Sequence, residues 1–330
     1  MKFGKLVFSG LIFVLSLFSL VIFFFSQGTG KNQPQERFVI ALDSTNETLI
    51  NHLNEKEFLR SKILFKLILF FKGYQDRVSP GAYRISKSMN AFELADALVS
   101  GPYQKWVLIP PGKRKEQTAL ILKKELGWSE ALTANFIQIA EEGYLFPDTY
   151  LIEVDSDARE TFQKLRNNFN EKFTGQIQQD LLAQNIRNDT AIKVASLIER
   201  ESGGDDDKAV IAGIIWNRLE KKMKLEIDAT VQYAKASQIL HPQADNLDEV
   251  GEWWSSVSPQ DLRTISSDYN TYLFEGLPPG PICSPSLASI KAAVYPLETN
   301  ALFYLHSADK KIHPANTYEE HLLNIEEYLR

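Results

Sequence analysis

The sequence predicts an α+β protein in which helices predominate, and three observations lead to this prediction. An uncharged apolar run occupies positions 6–26. Short β-type runs, each followed by a turn and a helical pattern, recur between positions 38 and 126, and long helical patterns extend from 157 to 224. The expected fold is therefore a transmembrane helix, a small βααβ module and a larger helix-rich domain with minor β-structure.

The N-terminal run, Leu6 to Ser26, is 21 residues long. As a helix it measures about 31 Å, enough to cross a hydrocarbon core of roughly 30 Å. A cleaved signal peptide is the alternative, although its apolar region is usually about 7–15 residues. Lys2 and Lys5 precede the run, so the charge distribution predicts residues 1–5 in the cytoplasm and the rest of the chain outside. The polar segment 27–37 is expected to be a tether.

The module begins with a strand at 38–42, and Ser44 with Glu47 matches a capping box for the helix that follows. A second helix opens at Ser61 and carries ILFKLILFF. This run is too short to span a bilayer and is predicted to be a buried core helix. A further strand at 82–86 completes the βααβ pattern.

Charge and cysteine content exclude several classes of function. The formal net charge is −6, without the basic surplus that attracts nucleic acid, so no nucleic-acid partner is expected. Cys283 is the only cysteine, which excludes an intrachain disulfide, a lipid-modified cysteine after the apolar run and a multi-cysteine metal cage. The spacings of His306, His313 and His321 match no metal-binding motif, so neither a metal nor a cofactor is expected.

The segment Ala191 to Tyr233 carries the chemistry. At about 100° per residue, Glu201 shares one helical stripe with Val194, Leu197 and Ile198, at a position that the pattern reserves for a buried side chain. Burial raises the pKa of a carboxyl group toward the range in which it donates a proton at neutral pH. Glu199 lies about 200° away and cannot pair with Glu201 across one bond. The alternative for Glu201 is a side chain that extends into solvent or pairs with Arg218.

A second polar residue interrupts the next apolar face. Asp206 or Asp207 is expected to cap a helix in which Asn217 shares a stripe with Val210 and Ile214. Two polar residues in adjacent apolar faces suggest a site. A core asparagine that bonds only to the backbone remains the alternative.

Several long motifs occur in an order that resembles the endolytic murein transglycosylases of the MltG (YceG-like) family. They are EGYLFPDTY at 142–150, VASLIERES at 194–202, NRL at 217–219, LEIDATVQYA at 225–234, SSDYNTYLFEGLPPGPICSP at 266–285 and FYLHSADKKIHPANTYEEH at 303–321. The resemblance implies a LysM-like module at 38–105 and a catalytic domain at 106–330, with a linking region at 106–150.

The resemblance also implies an activity. This activity is cleavage of the β-1,4 bond between N-acetylmuramic acid and N-acetylglucosamine in peptidoglycan strands, with formation of 1,6-anhydro ends and Glu201 as the single acid and base. The implied location is the bacterial cytoplasmic membrane, with the catalytic domain outside the cytoplasm and peptidoglycan synthases as possible partners. Candidates for positioning the sugars are Asn217, Asp228, Thr230, Tyr269, Asn270 and Thr271. Tyr269 and Tyr272 are equally compatible with a core role.

Three alternatives belong to other classes of function. A lysozyme-like hydrolase requires a carboxylate on the far wall, for which Asp228 is the candidate. A glycan-binding scaffold would need no catalysis by Glu201. A stalked organiser of the cell-wall machinery would use the anchor alone.

Overall fold

The structure is a computed structural model that describes residues 2–240 and 246–329. The chain divides into two compact units. The first consists of Met1–Val107 with Tyr150–Asp155, and the second of Leu108–Thr149 with Ser156–Arg330. The prediction of mixed helix and sheet is confirmed, and the identity of the two units as LysM-like and catalytic stays a prediction.

The first unit contains four helices and a four-stranded sheet with the order β1-β2-β3-β4. Strands β3 and β4 each cross the boundary between the units. The elements are α1 Lys2–Ser26, β1 Glu36–Ile40, α2 Asn46–Glu55, α3 Lys62–Phe71, β2 Gly81–Ile85, α4 Ala91–Val99, β3 Gln104–Ile109 and β4 Asp148–Glu153.

Helix α1 contains the predicted apolar run. Residues Phe8–Ser26 are long and apolar enough to cross a bilayer and are not buried in the protein, two properties that signal sequences share.

The core of the first unit confirms the predicted βααβ order. Strands β1 and β2 pair antiparallel, from Glu36 opposite Ile85 to Ile40 opposite Gly81. The apolar sides of α2, α3 and α4 pack with the sheet into one cluster. The predicted capping box at Ser44 and Glu47 is wrong by one residue, because α2 starts at Asn46 and the reciprocal bonds join Thr45 to Thr48.

Helix α3 differs from the buried core helix that the sequence predicted. Its N-cap is Ser61 as expected, and Phe65, Ile68 and Leu69 are buried. Its opposite side is also apolar but faces solvent. The sequence pattern could not separate these two faces because both are apolar.

The predicted tether is bound to the module rather than free. In this segment, named here the strap (residues 27–35), the Gly30 amide donates to the Lys87 carbonyl at 3.0 Å and the Gln33 amide donates to the Ser88 hydroxyl at 2.7 Å. The Arg60 guanidinium donates twice to the Gly28 carbonyl, at 3.0 and 2.8 Å. Polar backbone groups without a helix or sheet partner are thus satisfied by the module.

Over the residues that the structure describes, the second unit is mainly helical and has one two-stranded sheet, formed by β5 (Phe303–His306) and β6 (Ile312–Ala315). A short 3₁₀ turn lies at Leu247–Val250. The other elements are α5 Lys115–Leu126, α6 Glu130–Ile139, α7 Ala158–Lys172, α8 Gly175–Ala183, α9 Asn188–Glu201, α10 Lys208–Glu220, α11 Asp228–Ile239, α12 Pro259–Thr264, α13 Leu287–Val294, β5 Phe303–His306, β6 Ile312–Ala315 and α14 Tyr318–Tyr328.

Helix α9 occupies the centre of the second unit. It packs against α8, α10, α11 and α13, and its apolar residues belong to the main hydrophobic cluster of this unit. Residues 194–198 are all buried. Because α9 is surrounded, the position of its C-terminal end is determined by several neighbours at once.

Substitution of Gly28 by alanine should release the strap. A Cβ atom there would lie 2.6 Å from the Lys87 carbonyl oxygen and 2.7 Å from that of Ser88, both rigid backbone atoms. We expect faster hydrogen exchange of the Gly30 amide in Gly28→Ala. Gly175→Ala is the matched control, because that Cβ would meet nothing within 4 Å. Unchanged exchange at Gly30 in Gly28→Ala would show that the strap is not held by this close approach.

Candidate active site

Glu201 is the last residue of α9. Val194, Leu197 and Ile198 on its stripe are fully buried, as the helical phase predicts. The backbone becomes extended at Ser202, so the helix stops directly after the carboxylate. Glu201 itself is half-buried and therefore stands where the core meets an open pocket.

The carboxyl group of Glu201 receives a hydrogen bond from a strand of the β5-β6 sheet. The Tyr304 hydroxyl donates to Oε2 of Glu201 at 2.5 Å. Burial raises the pKa of Glu201 above its ordinary value, the Tyr304 hydrogen bond partly opposes this shift, and the charge of Asp228 adds to it. Burial and the Glu201 charge hold the pKa of Tyr304 well above its ordinary value, so Tyr304 stays a donor.

The pocket beside Glu201 has a volume of about 560 Å³ and is lined by acidic and aromatic side chains. Its other lining residues are Arg218, Leu225, Glu226, Asp228, Tyr272, Phe303, Tyr304, Tyr318 and His321. Aromatic faces together with carboxylates and hydroxyls suit a carbohydrate, whose rings have apolar faces and polar edges.

Two further carboxylates, those of Glu226 and Asp228, line this pocket. Asp228 is the first residue of α11, where the positive end of the helix dipole favours a negative charge. The Tyr272 hydroxyl donates to Oδ1 of Asp228 at 2.6 Å, and burial together with that bond raises the pKa of Tyr272. Asp228, which the sequence suggested both for positioning the sugars and for the far wall of a hydrolase, therefore shares the pocket with Glu201.

Arg218 does not pair with Glu201, which removes that alternative. Its guanidinium donates to the carbonyls of Leu302, Lys224 and Leu225, and it forms an ion pair with Glu226 at 3.2 Å. Arg218 therefore joins the segment 224–226, part of the pocket wall, to the chain just before β5.

Three of the predicted sugar-positioning residues are buried behind the pocket wall. The Thr230 hydroxyl donates to the Ile227 carbonyl at 2.7 Å and lies 3.0 Å from the Thr271 hydroxyl. Asn270 donates to two carbonyls at the end of α12 and accepts from the amide of Tyr272. These side chains hold the start of α11 and the backbone of Tyr272, so they position the Asp228–Tyr272 pair from behind.

Asn217 and Tyr269 do not line the Glu201 pocket either. The Asn217 amide donates to the carbonyls of Thr299 and Ala301, at 2.7 and 3.0 Å, which matches the alternative of a structural asparagine. The Tyr269 ring packs on Tyr233 with centroids 4.6 Å apart. Of the six predicted candidates, Asp228 is the one that lines the pocket with Glu201.

Glu199 points to the opposite side of α9, as predicted. Its Oε2 accepts from the Ser286 amide, the Ser286 hydroxyl and the Ser289 hydroxyl at the start of α13. Lys208 lies 3.7 Å from the same oxygen. Glu199 is therefore a structural carboxylate that fixes α13 on α9.

The loop that follows Glu201 is closed by Asp207. Asp207 occupies the predicted cap position of α10, but its side chain does not cap that helix. It accepts instead from the amides of Gly203 and Gly204 and contacts Nε2 of His306 at 2.7 Å. The predicted capping bond is wrong because these other donors occupy the carboxylate.

Sequence reasoning missed Tyr304, His306 and His321. Tyr304 and His306 are two residues apart on β5, so strand alternation places both on one face of the sheet. His321 lines the pocket and stacks on Phe303, whereas His313 stacks on Tyr328. The alternation of side chains along FYLH at 303–306 is the sequence signal that could have placed Tyr304 and His306 together. Within the part of the chain that the structure describes, no three His, Cys, Asp or Glu side chains form a group that would hold a metal ion.

A half-buried carboxyl group with a raised pKa, facing a polar and aromatic pocket, is the arrangement found in the class of enzymes that cleave glycosidic bonds. Comparison with known proteins identifies the family. The model of the YceG-like family matches residues 38–327, and the chain belongs to that family.

Two curated relatives carry the name endolytic murein transglycosylase. The one from Bacillus subtilis (strain 168) is 26% identical over 314 residues, which cover 87% of this chain and 82% of the relative. The one from Streptococcus pneumoniae (serotype 2, strain D39) is 26% identical over 322 residues, which cover 84% of this chain and 55% of the relative. This chain thus spans about half the length of the pneumococcal protein.

A solved structure supports the fold. The 2.6 Å crystal structure of a YceG-like protein from Listeria monocytogenes aligns with a TM-score of 0.56 and 23% identity, over 88% of this chain and 98% of that chain.

The raised pKa of Glu201 makes the stability of the second unit depend on pH. A glutamate in an unfolded chain has a pKa of about 4.3. Because the folded pKa is higher, the stabilisation by the protonated group is complete below the unfolded pKa and is lost as pH rises through the folded pKa. Glu201→Gln does not titrate and escapes this loss. We expect the variant to gain stability over the native chain as pH rises.

Denaturant unfolding at a series of pH values, followed by tryptophan fluorescence, measures this difference, since four of the five tryptophans belong to the second unit and Trp216 and Trp254 pack on its core. Glu220→Gln, which removes an exposed carboxylate at the end of α10, is the control for the loss of one negative charge. A difference between Glu201→Gln and the native chain that stays constant with pH would contradict the prediction.

Proposed function

We propose that this protein is an endolytic peptidoglycan lytic transglycosylase with Glu201 as its catalytic acid and base. One observation carries the proposal: a carboxyl group whose pKa is raised by burial opens onto a pocket lined by aromatic and polar side chains. The names of the curated relatives support the choice of peptidoglycan as substrate.

In the proposed first step, the protonated Glu201 carboxyl group gives its proton to the oxygen that links C1 of N-acetylmuramic acid to C4 of N-acetylglucosamine. The C1–O bond breaks, N-acetylglucosamine leaves as an alcohol, and positive charge develops at C1 and its ring oxygen. Burial serves this step because it keeps the carboxyl group protonated at a higher pH.

In the second step the same group acts as a base. The Glu201 carboxylate takes the proton of the 6-hydroxyl of N-acetylmuramic acid, and O6 bonds to C1 to close a 1,6-anhydro ring. The proton returns to Glu201, no water is consumed, and one carboxylate performs both transfers.

Tyr304 and Asp228 support this cycle in different ways. The Tyr304 hydroxyl stabilises the carboxylate that exists between the two steps and holds its orientation. The Asp228 charge raises the pKa of Glu201 and, in the same pocket, stabilises the positive charge that develops at C1.

The remaining parts of the proposal concern location. Helix α1 serves as an uncleaved anchor with the N-terminus in the cytoplasm, since Lys2 and Lys5 precede the apolar stretch. The residues that follow α1 then lie on the peptidoglycan side of the membrane. The first unit, with its βααβ order, acts as a LysM-like glycan-binding module, and peptidoglycan synthases at the membrane are the proposed partners.

A lysozyme-like hydrolase is the second candidate, because Asp228 shares the pocket with Glu201. In that reaction Asp228 would act as the nucleophile or activate a water molecule, and the product would carry a reducing end.

Product analysis on purified glycan strands separates these candidates. We expect the native chain to release products with 1,6-anhydro ends, which are one water lighter than hydrolysis products. Glu201→Gln should lower their formation by at least roughly 10²-fold, the contribution typical of general acid–base catalysis. Glu220→Gln, whose side chain is exposed and does not line the pocket, should retain the native rate.

Asp228→Asn tests the hydrolase directly. In the transglycosylase this variant should slow the reaction but still yield anhydro ends. Reducing ends made by the native chain and lost in Asp228→Asn would favour the hydrolase. Undiminished anhydro products in Glu201→Gln would overturn the catalytic role of Glu201, and strand binding without any product in the native chain would indicate a scaffold.

The Tyr304 hydrogen bond predicts a shift in the pH profile. Because this bond lowers the pKa of Glu201, its loss in Tyr304→Phe should raise that pKa further. The limb of kcat/KM that falls as the acid loses its proton should therefore move to higher pH. Tyr295→Phe is the matched control, since the Tyr295 hydroxyl donates to Asp180 outside the pocket. A rate that fell equally at every pH in Tyr304→Phe would instead indicate a purely structural role.

A further inference from the structure

Helix α3 has two apolar faces, and the core uses one of them. Its buried face is formed by Phe65, Ile68 and Leu69. The other face, named here the α3 outer face, consists of Ile63, Leu67, Phe70 and Phe71. At about 100° per residue these four lie within one arc of about 100°, opposite the buried face.

The α3 outer face is strongly exposed. Ile63 is 75% exposed and Phe71 is 80% exposed, and Leu67 and Phe70 are also exposed. An uninterrupted set of large apolar side chains on one helix marks a surface that meets something other than water. Lys66 is exposed at the edge of this face, where lysines of helices that lie in a membrane interface extend their amines toward the headgroups.

The position of α3 beside the end of α1 indicates what contacts the α3 outer face. Helix α1 packs against α3 within the first unit. Arg60, two residues before α3, donates to the Gly28 carbonyl, and its guanidinium lies over the Phe24 ring at 5.1 Å. The strap adds bonds to Lys87 and Ser88 of the same unit, so the chain just after α1 is held against the unit that contains α3.

We propose that the α3 outer face lies in the interface of the same lipid bilayer that α1 crosses, in the leaflet from which α1 emerges at Ser26. This inference rests on the proposed role of α1 as an uncleaved anchor. The occupant of the face is lipid: the face is apolar, has Lys66 at its edge and is attached to the end of a bilayer-length helix. The first unit would thus be held to the membrane by two elements rather than by one.

The experiment uses the full chain reconstituted in phosphatidylcholine–phosphatidylglycerol vesicles, with and without brominated acyl chains. Single cysteines labelled with an environment-sensitive fluorophore report contact with lipid. Ile63→Cys and Phe71→Cys probe the α3 outer face, and Phe18→Cys probes α1. Leu42→Cys is the matched control, because Leu42 is also exposed and apolar but follows the end of β1 remote from the strap. The native chain gives the background, since Cys283 is fully buried.

Blue-shifted emission and quenching by brominated lipid at Phe18, Ile63 and Phe71, without either effect at Leu42, are the expected results. Leu67→Asp combined with the Ile63 label should lose this quenching, because a carboxylate on the face opposes entry into lipid.

Other outcomes overturn the inference. Quenching at Phe18 but not at Ile63 and Phe71 would leave the anchor intact and refute the membrane contact of α3. Loss of quenching at all three would refute the anchor itself. A blue shift at Phe71 without quenching by brominated lipid would assign the face to protein, either a second copy or another chain.

Discussion

The proposed chemistry depends on one constraint, the burial of the Glu201 carboxyl group at the end of a helix that is otherwise enclosed. Helix α9 packs against four other helices, which fixes its C-terminal end. Desolvation raises the pKa of Glu201, and the half-open position leaves the group accessible from the pocket. A fully enclosed carboxyl group could not meet a substrate, and a fully exposed one would lose its proton. The hydroxyl of Tyr304 lowers the cost of this partial burial, because it donates a hydrogen bond to one oxygen of the Glu201 carboxyl group.

Glu199 and Glu201 show how helical phase gives two identical side chains different roles. Glu199 accepts from the Ser286 amide and from the hydroxyls of Ser286 and Ser289 at the start of α13, and Lys208 of α10 lies 3.7 Å from the same oxygen. Glu201 has one protein donor and faces the pocket. The first carboxylate thereby secures the helix that presents the second. The residues behind Asp228 are structural in the same sense as Glu199. They are buried threonines and an asparagine, whose bonds hold backbone segments in place.

Periodicity predicted what lies within one helix or strand, and failed where partners are distant in the chain. The burial of Glu201 and the opposite direction of Glu199 follow from the angle between residues on α9. The partners of Asn217 are carbonyls 82 and 84 residues away, and no local pattern shows whether an amide meets a sugar or a carbonyl. Tyr304 was missed for the same reason, since it is 103 residues from Glu201. The strap resembles a free linker in composition, because glycine and polar residues suit both a mobile chain and one held closely against a surface.

The strap has a mechanical consequence. A flexible linker transmits tension alone, whereas a segment bonded along its length also transmits rotation. The bonds from Gly28, Gly30 and Gln33 to the body of the first unit make it turn together with α1. The tilt of α1 and its rotation about its own axis are therefore passed on to the body of this unit, and lengthening the chain just after Ser26 would weaken this coupling to the contact of Arg60 with Phe24 and the packing of α1 on α3.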